Sequence, residues 1–172
     1  MKRINKYASH LPVLEAIFKF RSINTVFEYG CGYYSTKFFV DHAKEVESIE
    51  MCDATWYERV EEEFGKRKNL SLKCMLGRNC AIDYFRNNGK NYDLIFVDGF
   101  GKTRSECVEH AFNRAPIIVV HDFGNYASKK LYHNGIFNLP ESYKFVKVCK
   151  ANPCTGVYTN DLSLYNGLVN WR

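Results

Sequence analysis

Short apolar runs that alternate with stretches of helical spacing set the tightest limit on what this chain can fold into. The runs cover Thr25 to Tyr29, Glu45 to Glu50, Leu70 to Met75, Tyr92 to Asp98 and Pro116 to His121. Between and before them, Ser9 to Phe20, Ser35 to Ala43, Thr55 to Lys66, Ala81 to Arg86 and Ser105 to Asn113 read as helices. Thr55-Trp56-Tyr57-Glu58 has the capping-box pattern that opens a helix. Strand and helix in alternation are the mark of βαβ units on a mostly parallel sheet. Leu94-Ile95-Phe96-Val97 is apolar throughout, as a central strand buried on both faces requires. The tail changes character. Tyr143 to Lys150 and Gly156 to Tyr165 read as two strands that pair antiparallel across Asn152-Pro153, with no helix between them. The expected architecture is a doubly wound α/β fold with a seven-stranded, mostly parallel sheet. It carries an antiparallel C-terminal strand pair and helices on both faces. Residues 1–172 are read as one domain, a helical segment 1–24 on a core of 25–172.

An apolar fraction of 46% excludes a disordered chain. The net charge of +5, from 24 basic and 19 acidic residues, is spread without long blocks of one sign. It therefore reads as a solvated surface, with an anionic partner left open. The seven cysteines show no C-x-x-C and no zinc-type spacing, and several sit in apolar runs. Reduced thiols in the cytoplasm are the expectation. No apolar run approaches the ~18 residues of a membrane span, and no signal-peptide pattern is present.

In an open α/β sheet, ligands bind beyond the carboxyl ends of the strands, at the switch point. The first strand ends Glu28-Tyr29-Gly30-Cys31-Gly32-Tyr33-Tyr34-Ser35. Two glycines one residue apart allow a tight turn and close approach of a ligand to the backbone. Ser35 stands where the dinucleotide fingerprint has its third glycine, which weakens a nicotinamide reading. Glu28 stands at the mouth of the first strand, where a carboxylate can meet a cationic group. Glu50 ends the second strand, where an acid can accept both ribose hydroxyls. Either acid alone could equally be a strand-end surface residue; the combination carries the argument.

With Glu-x-Gly-x-Gly on the first strand, an acid ending the second and a terminal strand pair, the chain resembles class I S-adenosylmethionine-dependent methyltransferases. The resemblance runs from about Ser9 to Tyr165. It is closest to a small group marked here by Gly30 to Thr36, Glu50 with Trp56, Val97-Asp98-Gly99, Arg104 with Cys107, and His121-Asp122. The resemblance implies that Glu28, Gly30 and Gly32 cradle the methionine portion of S-adenosylmethionine, with Ser35, Thr36 and Asp98 also among the cofactor-binding residues. It implies that Glu50 holds the ribose and that Met51 and Arg78-Asn79 flank the adenine. Gly77-Arg78-Asn79-Cys80 departs from relatives that place an acid in this loop.

Candidates for the chemistry end the fourth and fifth strands: Asp98, Lys102, Arg104, His121 and Asp122. Methyl transfer to a hydroxyl requires alignment and removal of a proton, and Asp98 or His121 is the candidate base, with Lys102 beside them. Asp98 with Asp122 would also suit Mg²⁺ or another divalent ion through oxygen ligands. Metal-dependent catechol-type O-methyltransferases resemble that layout, but here Phe123 follows Asp122 and Lys102 comes four residues after Asp98. Blander readings stay open: His121 as a core histidine, Asp122 as a cap, Lys102 and Arg104 as solvated charges. His10, His42, His110 and His133 show no ligand spacing and read as surface or packing residues.

Asp98-Gly99-Phe100-Gly101 replaces the Asp/Asn-Pro-Pro-aromatic tetrad of amino-directed nucleic-acid enzymes, which disfavours a nucleic-acid acceptor without excluding it. A small hydroxylated acceptor or a glycan remains. The loop Asn125 to Pro140, or the second subunit of a homodimer, would wall its pocket. The alternatives are a non-catalytic binding module of the same fold and an NAD(P)-dependent reductase.

Overall fold

The computed structural model describes residues 5–99, 103–123, 139–148 and 153–171, without the side chains of Lys6, Arg78 and Lys147. A 3-10 turn, Lys6–Ala8, leads into α1 (Leu11–Phe20), which carries Pro12 in its first turn, where a missing N–H costs nothing. There follow β1 (Thr25–Tyr29), α2 (Ser35–His42), β2 (Glu45–Glu50), α3 (Ala54–Phe64), β3 (Leu70–Cys74) and α4 (Arg78–Asn87). The second half adds β4 (Leu94–Val97), α5 (Arg104–Ala111), β5 (Ile117–Val120), β6 (Lys144–Val148), β7 (Thr155–Thr159) and α6 (Leu162–Asn170). The strands form one seven-stranded sheet in the order β3-β2-β1-β4-β5-β7-β6. β1 to β5 are parallel, and β7 runs antiparallel to both β5 and β6. The expected fold class is the one observed.

Period-2 alternation explains why the central strands are apolar throughout. Phe27, Tyr29, Ile95, Val97, Ile118 and Val120 face one layer, packed on Phe85 of α4 and on Cys107 and Val108 of α5. Val26, Leu94, Phe96, Ile117 and Val119 face the other, against Leu14 and Ile17 of α1, Phe39 of α2 and Leu164 of α6.

Two local expectations change. α3 starts at Ala54 and is capped by Asp53, whose Oδ1 accepts from the N–H groups of Thr55 (2.9 Å) and Trp56 (3.1 Å); Thr55 is not the cap. The strand read as Gly156 to Tyr165 stops at Thr159, and the α6 helix replaces its end. Asp161 caps α6 by accepting from Leu164 N–H at 2.9 Å, and its carboxylate also binds Arg21 at the end of α1. A capping aspartate three residues before an apolar position was the missed signal.

No helix among the described residues is long and apolar enough to cross a membrane. Cys31, Cys52, Cys74, Cys80 and Cys107 form no disulfide, whereas Cys154 is disulfide-bonded, so the expectation of reduced cysteines fails at that position.

Candidate active site

Strand register builds the site. Tyr29 of β1 pairs with Ile49 of β2 and Val97 of β4, and Val97 pairs with Val120 of β5. The next residues along these strands are Gly30, Glu50, Asp98 and His121, so all four stand on one carboxyl edge. Sheet order reverses there: the chain runs outward from β1 through β2 to β3, then returns to β4 on the other side. A cleft of ≈ 770 Å³ opens at this edge, lined by Gly30, Gly32, Ser35, Glu50, Asp98 and Arg104, and by His10 from the start of α1. Tyr7, Tyr33, Tyr34 and Trp56 add an aromatic wall.

Gly30 has φ +85°, and a Cβ there would lie 2.7 Å from Gly99 N, so no other residue fits without strain. The β1 and β4 loops meet at this point. Gly32 N–H donates to Thr36 Oγ1 at 2.9 Å, and that hydroxyl donates to Glu28 Oε2 at 2.6 Å. Ser48 Oγ donates to the same oxygen at 2.6 Å. Glu28 is fully buried and sits beneath the loop; it does not line the cleft. Burial raises its carboxyl from the ordinary 4.5 to about 7, against the opposing pull of the neighbouring serine and threonine hydroxyls. Thr36 is also buried outside the lining, and through its hydroxyl it joins Gly32 N–H to Glu28 beneath the turn.

Glu50 ends β2 with one oxygen engaged by its own loop: Oε1 accepts from Cys52 N–H (2.8 Å) and Asp53 N–H (3.2 Å). Oε2 receives the weak thiol of Cys31 at 3.6 Å. A carboxylate oriented by backbone donors, with lone pairs left at a cleft wall, suits a vicinal diol. Trp56 is pinned by its indole N–H to Cys31 O at 2.7 Å. Met51 lies behind the cleft, buried against Gly99, and exposed Asn79 at the start of α4 is not in the lining. Two of the three residues expected beside the adenine, Met51 and Asn79, are therefore not brought to the cleft wall, and the side chain of Arg78 lies outside the described residues.

At the β4–β5 end, Arg104 ties the loops together. It is nearly buried, and Nε donates to Gly99 O (2.7 Å), Nη1 to His121 O (3.0 Å) and Asp122 Oδ2 (3.1 Å), and Nη2 to Asp98 Oδ1 (2.9 Å). The solvated-charge reading of Arg104 fails. Asp98 and Asp122, read from the sequence as a candidate Mg²⁺ pair, are bridged by this permanent guanidinium through one oxygen of each carboxylate. Asp122 has φ +58°, a left-handed conformation that Asp adopts at some cost. Lys102 lies outside the described residues, as does nearly all of the Asn125 to Pro140 loop.

His121 is buried. Its Nε2 shares a hydrogen bond with Ser9 Oγ at 2.8 Å, and its Nδ1 lies 3.0 Å from Asp98 Oδ2 but off the direction that would make a hydrogen bond. His10 is not a surface residue. It is 2% exposed, lines the cleft, and sets its ring 4.6 Å from that of His121 and 5.1 Å from Phe96. Burial, with the neighbouring His121, pushes its imidazole down to about 3. Sequence spacing could not reveal this residue, since it reaches the site from the helix before β1.

The fold is a Rossmann-like methyltransferase fold. The O-methyltransferase TomG from Streptomyces achromogenes, solved with S-adenosylmethionine, superposes with a TM-score of 0.66 at 15% identity, over 88% of this chain and 78% of that one. The O-methyltransferase from Bacillus cereus, solved with S-adenosylhomocysteine, gives 0.65 at 12% identity, over 90% and 79%. The N-methyltransferase NodS from Bradyrhizobium japonicum gives 0.59 at 14% identity, over 87% and 91%. No protein-family model and no curated protein sequence matches the chain.

Proposed function

We propose that the protein is an S-adenosylmethionine-dependent methyltransferase acting on a hydroxyl of a small molecule or glycan. One observation carries the reading: register puts the glycine turn, the Glu50 carboxylate and Asp98 along a single cleft at the switch point, with the buried His121 ring directly behind Asp98. The first two suit the cofactor's amino-acid and ribose portions, and solved structures of this fold hold S-adenosylmethionine or its product.

S-adenosylmethionine, when bound, supplies an electrophilic methyl group on a sulfonium. Glu50 accepts hydrogen bonds from the ribose hydroxyls and fixes the cofactor's rotation in the cleft. The turn at Gly30 and Gly32 lets the cofactor approach the backbone, with Glu28 and Thr36 bracing it from below. Asp98 and His121 receive the acceptor hydroxyl, orient its oxygen towards the methyl carbon and take its proton.

The test is calorimetry with S-adenosylmethionine, S-adenosylhomocysteine and NADH on wild type and Glu50→Ala. The expected result is micromolar binding of both sulfur ligands, weakened about 100-fold by loss of the charge-assisted bonds, which are worth roughly 3 kcal/mol. Binding of NADH alone would place the protein among reductases. Tight cofactor binding without turnover on any hydroxylated acceptor would make it a binding module.

A further inference from the structure

Six buried side-chain atoms among the described residues lack a hydrogen-bond partner, and three are ring nitrogens at one spot: Nδ1 and Nε2 of His10 and Nδ1 of His121. Buried polar groups are nearly always satisfied, so three orphans on two touching rings ask for an explanation. Beside them stands Asp98, whose Oδ1 is held by Arg104 while Oδ2 points at His121. One potential ligand atom from each of His10, Asp98 and His121 falls within 4.8 Å of the others.

We propose that His10, Asp98 and His121 bind one divalent transition-metal ion of the zinc class, with an open coordination position facing the cleft. Two imidazoles and one carboxylate are the donors of catalytic zinc sites and of open-sided iron sites. Ligand atoms around a tetrahedral zinc at about 2.1 Å stand about 3.4 Å apart, so side-chain rotation must close the set by roughly 1 Å. Ser9 supplies the outer support such sites use, because a ligating histidine commonly gives its second N–H to a fixed acceptor. With Nε2 donating to Ser9 Oγ, the lone pair of Nδ1 faces a carboxylate oxygen 3.0 Å away, a contact that a cation between them turns from repulsive to attractive. With the proton on Nδ1 instead, that donor is buried off-axis without a partner. Either tautomer leaves the ring unsatisfied in the absence of an ion.

The inference rests on the methyltransferase reading for its purpose and refines it. An ion held here lowers the pKa of a coordinated acceptor hydroxyl. Asp98 and His121 then serve as ligands, and the acceptor's proton passes to solvent. Arg104 explains why the ion sits on this side of Asp98, since the side facing Asp122 already carries a cation.

The experiment is equilibrium dialysis of the full chain against Zn²⁺, with metal analysis, alongside calorimetry with S-adenosylhomocysteine. The expected result is one Zn²⁺ per chain, weakened at least about 100-fold in His10→Ala and about 10-fold in Ser9→Ala. Equal zinc binding by wild type and His10→Ala would mean capture by the exposed cysteines and would overturn the site, as would no binding by wild type. The visible spectrum of the Co²⁺-loaded wild type needs no variant. Nitrogen and oxygen ligation without thiolate charge-transfer bands supports the site, and those bands refute it. Zinc binding with no binding of S-adenosylhomocysteine would leave the metal site standing and remove the methyltransferase reading.

Discussion

The two ends of the cleft meet their polar groups in opposite ways. At the β1–β2 end, hydroxyls and backbone N–H groups close in on each carboxylate: Thr36 and Ser48 on Glu28, Cys52 and Asp53 on Glu50. Apart from Glu28 Oε1, each carboxylate oxygen there is answered. At the β4–β5 end, one guanidinium serves two carboxylates and three backbone carbonyls, while three ring nitrogens, two of His10 and one of His121, lack a hydrogen-bond partner. A finished network holds a loop in one shape. An unfinished one conserves bonding capacity for a ligand, and stability is lost to keep it.

The largest expected effect comes from removing the guanidinium. Arg104→Ala should lower unfolding free energy by about 4 kcal/mol, because Asp98 and Asp122 are left adjacent without a counter-charge. Urea denaturation checks this. Arg104→Lys should recover only part, since an ammonium cannot fork between both loops. A loss under about 1 kcal/mol would mean that the β4–β5 end is not held by this residue, and the contrast between the ends would collapse.

The second effect reads the opposite end through pH. The raised carboxyl of Glu28 keeps a proton in the native state that the unfolded chain releases between about pH 4.5 and 7. Its stabilising contribution is therefore complete below pH 4.5 and disappears as pH rises through 7. The change across this whole interval is about 3 kcal/mol. Denaturation at pH 5 and pH 8 should show wild type losing that much more stability than Glu28→Gln over the same interval. Parallel pH profiles would remove the buried proton from the account.

Gly30→Ala comes next. A side chain at φ +85° meeting Gly99 N should cost about 2 kcal/mol and abolish S-adenosylhomocysteine binding by moving the turn. The smallest effect lies outside both ends. Asp161→Ala removes the α6 cap and a partly exposed pair with Arg21, and should cost about 1 kcal/mol while leaving S-adenosylhomocysteine binding unchanged. A change in binding there would show that the helix layer, and not the loops, sets the cleft.

The same contrast explains what could be read from the chain. The sheet was legible because β4 and β5 are apolar on both faces, which only a central parallel position demands. The glycine turn and Glu50 were legible because their meaning is local: each follows its own strand within a residue or two. Glu28 was legible as a participant but not as a brace, since the loop folding over it is a tertiary fact. His10 was invisible because 88 residues separate it from Asp98 and its approach depends on how α1 crosses the sheet. Arg104 looked like a loop charge, because sequence does not say that two carboxylates will converge on it. The tail misled through composition: Tyr158 and Leu164 belong to one apolar stretch, and Asp161 divides it by capping a helix.

The sheet order carries a consequence for synthesis. β7 lies between β5 and β6, although it is the last strand to be made. Until residues 155–159 leave the ribosome, the row of backbone donors and acceptors along Ile117–Val120 has no neighbour on that side. At the usual pace of translation this interval lasts a few seconds, long enough for an apolar edge to meet another nascent chain. Chaperone dependence and inclusion-body formation should therefore track the final hairpin more closely than the residues of the cleft.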